Sequence, residues 1–246
     1  MLTADARRAV LAPLDDGVGR SAAVVRRLGS AIALGIFEDG EQLPPESDLA
    51  AALGVAPTTL RDALAELRSH GLVQTRRGRG GGSFVQVDHS ILGELARDRL
   101  RELGSSELRE LGDMRAAVAG SAARLAARRA AASDIAGLRE IIDRLADEPR
   151  LGEQRRLEGR YYIAVAAAAQ SVRLTRQQFD LQIELGQVLW SLRRSADDLR
   201  SDVEAHRLVV DAIAARDPIA ARARTEEHIE ATTLALIDVH IALVRR

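Results

Sequence analysis

Between Gly54 and Leu67 the chain reads GVAPTTLRDALAEL. On a helix turning about 100° per residue, Leu60, Ala63, Leu64 and Leu67 share one face, while Thr58, Arg61, Asp62 and Ala65 point the other way. Pro57 falls in the first turn, where its missing N–H costs nothing. The outward residues at this end are two short hydroxyls, Thr58 and Thr59, and one long guanidinium, Arg61. Such an end approaches a nucleic-acid groove closely: the arginine reaches a base edge or a phosphate, and the first-turn N–H groups face phosphate as well. An N-cap with an exposed surface arginine is the plainer reading of the same residues. A second stretch, RRGRGGGS from Arg76 to Ser83, sets Arg76, Arg77 and Arg79 among glycines. Glycine lets the backbone follow a phosphate ridge or enter a minor groove, and the three cations have no apolar reason to fold inward. The alternative is a solvated hairpin. A nucleotide-binding loop is excluded, because no strand-to-helix context surrounds the glycines and no Gly-Lys-Ser/Thr ending follows.

The elements that must position these residues are legible around them. Val24, Val25, Leu28, Ile32 and Ile36 recur at helical spacing until EDGEQLPP breaks the pattern. A short helix, ESDLAAALG, stops at Gly54, placed for a left-handed C-cap, and the helix opening at Pro57 closes at SHGL, where Gly71 is the natural cap. LVQTRR and SFVQV then alternate apolar and polar as two short strands flanking the Arg/Gly loop. Helix, helix, turn, helix, hairpin is the order of a winged helix-turn-helix. After about Gly104 the sequence turns almost continuously helix-forming, with six helices expected near 105–130, 133–147, 151–170, 171–195, 199–215 and 217–244. Short breaks and missing strand signals predict an antiparallel all-α bundle. The fold class is therefore mainly α, with residues 1–19 as a poorly ordered arm, 20–88 as the winged domain, 89–104 (HSILGELARDRLREL) as a helical connector and 105–246 as the bundle.

Composition narrows the function. The chain has 246 residues and a formal net charge of −1, so any nucleic-acid binding must come from a local patch. All 35 Lys+Arg residues are Arg, a bias expected of a GC-rich genome. Cysteine is absent, which removes disulfides, thiol nucleophiles and thiolate metal sites together. The N-terminus has no apolar core of signal-peptide length, and the longest apolar run, Tyr161 to Ala169, falls far short of a membrane helix, so a cytoplasmic protein without membrane contact is expected. No zinc-protease HExxH, nucleophile elbow or Walker motif occurs, and an enzyme is not expected. Aromatic residues make up 2%, too few for single-strand stacking platforms.

The run ALGIFEDGEQLPPESDLAAALGVAPTTLRDALAELRSHGLVQTRRGRGGGSFV resembles the winged helix-turn-helix of GntR-type transcription regulators, and the helical second module resembles the effector-binding FCD domain of the FadR-like branch. The resemblance implies a homodimer that binds double-stranded operator DNA, a short palindrome, and changes its DNA affinity when a small molecule occupies the helical domain. The DNA contacts it carries over are Thr58, Thr59 and Arg61 on the helix, with His70 and Gly71 at its end. The sequence departs from the family pattern at Ser47, Ala56 and Pro57, where arginines or a Ser-Arg pair are usual, so a family operator does not transfer unchanged.

The same resemblance implies a pocket. FCD domains often bind a divalent metal through an Asp and a His four residues apart on one helix and one His from each of two later helices. Here Glu158 and Tyr162 of LEGRYYIAVAAAAQSVRL occupy the first two positions, and His206 and His228 the others. Three readings stay open: a divalent metal such as zinc on Glu158, His206 and His228; an organic anion held directly by the histidines, with Tyr162 replacing a ligand; or a hydrogen-bonded polar cluster without ligand. Arg115, in LGDMRAAVAG, matches a family arginine near this pocket and pairs with an effector carboxylate or with a structural acid. His89 and His240 fall outside the pattern and are expected at solvent or a subunit contact. The expected function is a dimeric, ligand-responsive transcription regulator, a repressor more often than an activator, sensing an organic acid or acyl-type ligand. The alternative is a winged-helix protein–protein interaction module with the bundle as scaffold.

Overall fold

The computed structural model describes residues 13, 20–33, 36–37, 39–78, 80–86, 89–189 and 195–245. The N-terminal arm, Pro13 apart, and Arg79 lie outside them. Among the described residues there are ten helices and one two-stranded sheet. Internal contacts divide the chain into two compact units, Met1–Glu94 and Leu95–Arg246.

The first unit contains α1 (Arg20–Ala33), α2 (Glu46–Leu53), α3 (Pro57–Ser69), β1 (Val73–Arg76) and β2 (Gly82–Val85). The apolar spacing has the expected result: Val24, Leu28, Ile32, Leu49, Leu53, Leu60, Leu64 and Leu67 are all essentially inaccessible. Val25 is only half-buried, and Ile36 is buried just beyond the helix that its spacing suggested it would extend. Gly54 caps α2 in the left-handed region at φ 67°, which a side chain enters only at a cost. At the end of α3 the Leu72 amide donates to the Leu67 carbonyl at 2.9 Å and the Gly71 amide to that of Arg68 at 3.0 Å, with Gly71 at φ 68°. This is a Schellman closure, and it turns the chain directly into β1. The strands pair antiparallel in the register Val73 to Val85, Thr75 to Ser83 and Arg76 to Gly82. Gln42 adds an antiparallel bridge to Phe84 that periodicity did not reveal, because a single bridged residue has no alternation to read.

The second unit starts within α4 (His89–Glu102) and continues through α5 (Ser105–Arg129), α6 (Ala132–Asp147), α7 (Leu151–Ala168), α8 (Val172–Leu189), α9 (Ala196–Ala214) and α10 (Pro218–Val244). Caps define the ends. Ser195 and Asp198 form a reciprocal capping box on α9, and the Asp217 carboxylate accepts from the Ile219 and Ala220 amides, each at 3.0 Å, ahead of Pro218 in the first turn of α10. Helices α5 and α10 lie in close contact because Gly112 and Gly120 leave room; a Cβ on either would collide with Thr233 or Glu226. α7 is buried nearly all round, so it forms the centre of the bundle, and it carries the candidate pocket residues.

Candidate functional site

In the first unit the exposed end of α3 is built by its own sequence. Ala56, extended at φ −66° and ψ 147°, offers no side-chain cap, so the first-turn N–H groups after Pro57 meet no capping oxygen. Thr58 and Arg61 are exposed and Thr59 is half-buried, while Leu60, Ala63, Leu64 and Leu67 seal the opposite face. The Arg61 Nε donates to the Glu46 carboxylate of α2 at 3.0 Å, and both side chains are well exposed, at 67% and 46%. An exposed pair of this kind contributes only about 0–1 kcal/mol, so a phosphate or guanine can replace Glu46 at little cost. Glu46 lies fifteen residues from Arg61 in sequence, which is why helical spacing did not couple them. His70 and Gly71 lie at the other end of α3, roughly 18 Å from Thr58 at 1.5 Å rise per residue. The structure does not gather them with the threonines, and the Schellman closure accounts for Gly71 without a partner molecule.

The hairpin tip separates its arginines. The Arg76 guanidinium sits 4.2 Å from the centroid of the Phe84 ring, and Arg77 is exposed. Arg76 pairs across the sheet with Gly82, which has no side chain, and the diagonal neighbour is Phe84; a cation–π contact therefore steadies this arginine over the ring while it stays exposed. The tip is closed by the Gly81 amide donating to Gly78 at 2.8 Å, and the Gln42 side-chain amide donates to the Gly81 carbonyl at 3.0 Å. Gly82 faces Gln42 so closely that a Cβ would strike its amide nitrogen.

In the second unit the structure brings five expected pocket residues from four helices into one cluster: Arg115 on α5, Glu158 and Tyr162 one turn apart on α7, His206 on α9 and His228 on α10. Arg115, Glu158, Tyr162 and His206 are 1–3% exposed, and the His228 side chain 9%. Ligand atoms of Glu158, His206 and His228 lie within 4.8 Å of one another. The His206 and His228 rings meet edge to face at 4.8 Å, and Tyr162 meets His206 at 5.5 Å and 86°. The Arg115 guanidinium lies 4.7 Å from the Tyr162 ring centroid, and its Nε and Nη2 have no hydrogen-bond partner among the described residues. Three neighbours were missed. The Arg155 Nη1 donates to Glu158 at 3.1 Å, Tyr161 stacks on His206 at 3.9 Å and 17°, and the Asp202 carboxylate stands 3.8 Å from His228 Nε2. Arg155 is three residues before Glu158 and Asp202 four before His206, spacings at which a helix aligns side chains, so periodicity held that signal. Burial pushes the Tyr161 phenol well above its ordinary range, with neighbouring Tyr162 adding to the shift. His240, expected at solvent or a subunit contact, is instead buried, its Nδ1 2.9 Å from the Leu100 carbonyl of α4; that carbonyl lies near the helix end, where a side chain can serve it. The side chain of His89 lies outside the described residues.

Two imidazoles and a carboxylate fit a divalent cation such as zinc in kind. Its ligand atoms would stand about 3.3 Å apart in a tetrahedral shell, a modest contraction from the observed spread. Glu158, His206 and His228 would hold it, and it would supply positive charge to an incoming carboxylate. Arg115 supplies such charge without any metal, since no acid in the described residues accepts from its Nε or Nη2.

The comparisons agree with both halves. Residues 20–82 match the model of the bacterial regulatory proteins of the gntR family, and residues 110–231 match the FCD domain. The chain is 37% identical over 229 residues to a candidate HTH-type transcriptional regulator, RmpR, of Mycobacterium gastri, covering 92% of this chain and 83% of that one. It is 30% identical over 202 residues to a candidate L-lactate dehydrogenase operon regulator of Escherichia coli, covering 78% and 77%. Among solved structures, Escherichia coli McbR/YncC shares the fold with a TM-score of 0.55 at 20% identity, over 90% of this chain and 99% of that one. These relatives are regulators of transcription and not enzymes. The chain belongs to the GntR family of DNA-binding transcription regulators, with an N-terminal winged helix-turn-helix and a C-terminal FCD effector-binding domain.

Proposed function

We propose that the chain represses transcription as a homodimer on a palindromic operator and that a small organic acid, bound among Arg115, Tyr162, His206 and His228, changes its hold on DNA. The uncapped, exposed Pro57 end of α3 supports the first half: Thr58 and Thr59 permit close approach to a major groove, Arg61 reads a base, and Arg76, Arg77 and Arg79 of the wing lie along phosphate. The second half is carried by one observation, the buried Arg115 guanidinium over the Tyr162 ring, whose Nε and Nη2 have no hydrogen-bond partner among the described residues. A buried cation of this kind is costly unless an anion meets it, and a carboxylate does so with paired hydrogen bonds. That a relative at 30% identity is named for an L-lactate dehydrogenase operon fits a small carboxylate. The connector α4 joins the two domains in sequence and is the proposed transmitting element.

The test has two parts. Selection of bound duplexes from a random pool by the full chain is expected to yield a palindrome with half-sites about one helical turn apart; recovery of only unrelated sequences would refute operator reading. Mass and elemental analysis of the purified protein is expected to find a carboxylic acid. A stoichiometric metal with no organic anion would move the site to the Glu158–His206–His228 reading.

A further inference from the structure

Two successive arginines of α7 pair in opposite directions. Arg156 turns back to Glu153 at 2.7 Å, and Arg155 turns forward to Glu158 at 3.1 Å, so each has its own acid three residues away on the same helix. The first pair reaches the surface, with the Glu153 side chain 21% exposed, whereas the side chains of Arg155 and Glu158 are 2% and 4% exposed. The Arg155–Glu158 pair is therefore set by one helix and enclosed by the bundle. A guanidinium held there cannot reach water without opening the packing around α7, and it does not give up its proton. Its partner is the same carboxylate whose oxygen lies within 4.8 Å of the ligand nitrogens of His206 and His228.

A divalent ion on those three atoms would share Glu158 with a fixed positive charge. One hydrogen bond does not use up the lone pairs of a carboxylate, so the obstacle is electrostatic and not steric. The charges gathered at the cluster already balance: Arg115 and Arg155 stand against Glu158 and Asp202. A ligating imidazole brings no negative charge, and Tyr162 brings a phenol where a further carboxylate would have helped. A dication would leave two positive charges in excess in a nearly dry interior, where such an excess is costly. We propose that Arg155 is a built-in cation that closes the Glu158–His206–His228 set to divalent metal, so that the chain carries a cryptic metal site which only removal of Arg155 opens. The inference concerns Arg155 and goes beyond the organic-acid reading without resting on it.

The experiment is titration of the full-length protein with cobalt(II), whose visible absorbance reports tetrahedral nitrogen and oxygen ligation, and with zinc(II) by calorimetry. Arg155→Met is expected to bind either ion one to one and at least about a hundredfold more tightly than the wild type, because a charge of the same sign a few ångströms from the ion has been removed. Arg155→Met also leaves a buried carboxylate alone, so it is expected to melt below the wild type in chelator. Zinc at a hundredfold excess over its dissociation constant then raises that melting temperature by about 5–10 °C. Adding Glu158→Gln to Arg155→Met is expected to abolish the cobalt absorbance, which ties the new site to this carboxylate. Tyr162→His keeps the Arg155–Glu158 pair and offers a third imidazole; it is expected to stay near wild-type metal affinity. Three results would each overturn the inference: stoichiometric metal held by the wild type through Glu158, metal binding restored by Tyr162→His alone, or an Arg155→Met chain, folded or not, on which zinc and cobalt have no effect. The organic-acid reading fails separately. Wild-type protein carrying neither acid nor metal would remove that reading and leave the role of Arg155 standing, whereas acid and metal found together would do the reverse.

Discussion

Arg61 carries the most direct test of the DNA-reading end. Its side chain is exposed and its one ion pair, to Glu46, is weak, so removing it should hardly alter folding. If it contacts a base edge, Arg61→Ala is expected to cost about 1–3 kcal/mol in operator affinity and to relax specificity at one position of each half-site; competition titrations against single-base operator variants measure both. The pocket gives a second test at this scale. The chain has only two tyrosines, adjacent in sequence, and burial holds the Tyr161 phenol well above the ordinary value. The raised value means that stability is fully kept below the ordinary phenol range, near pH 10, and is lost as pH climbs above it, because only the unfolded chain ionises readily there. An alkaline titration followed by phenolate absorbance is expected to show Tyr161 ionising together with unfolding; an independent transition near pH 10 from both tyrosines in folded protein would contradict its burial. Single residues were also where the sequence was least complete. Glu158, Tyr162, His206 and His228 came together as the family resemblance implied, yet their neighbours Arg155, Tyr161 and Asp202 were missed. The Arg155–Glu158 pair lies on one helix and was readable from its spacing, whereas the stacking of Tyr161 on His206 and the approach of Asp202 to His228 run between helices, which one helix's periodicity does not encode.

At the scale of elements the reading was nearly complete, and the reason is local chemistry. Gly54, Pro57 and Gly71 end or start helices through their own backbone preferences, so these boundaries could be read without tertiary information; Ser195, expected at the end of a helix near 171–195, instead caps α9, which starts at Ala196 and not near 199. The inward stripe of α3 is equally local, and truncating it tests the packing: Leu64→Ala is expected to destabilise the protein by about 2–5 kcal/mol, measured by denaturant unfolding, since Leu64 is 1% exposed. What escaped was non-local. The bridge of Gln42 to Phe84 and the seating of Arg76 on the Phe84 ring both depend on cross-strand register. That register divides the wing arginines into different roles. Both Arg76 and Arg77 are exposed, but Arg76 is held over the Phe84 ring whereas Arg77 has no such ring contact among the described residues, which makes Arg77 the cleaner test of a phosphate contact. Arg77→Ala is expected to weaken binding to all duplexes alike and to reduce the slope of log affinity against log salt by about 1. An unchanged slope would place the wing away from phosphate.

For the whole molecule the central claim is that two sites share one free energy. An acid that loosens the operator must bind the DNA-competent state less well than the other state, since equal affinity for both would shift nothing. Linkage then makes the effect reciprocal: if saturating acid lowers operator affinity tenfold, saturating operator must lower acid affinity tenfold, a coupling of about 1.4 kcal/mol. The buried pocket makes this a demanding test, because Arg115, Glu158, Tyr162 and His206 are almost wholly enclosed and an acid that reaches them must displace packed side chains. Displacement of that kind is how a small ligand gains different contacts in two states. Titrating the acid found in the purified protein, with and without a saturating operator duplex, is expected to return the same factor as titrating operator with and without the acid. Matching factors that vanish together in Arg115→Leu would tie the regulation to this pocket. Unequal factors, or an acid affinity indifferent to DNA, would mean that the acid acts elsewhere and that the buried cluster has only a structural role.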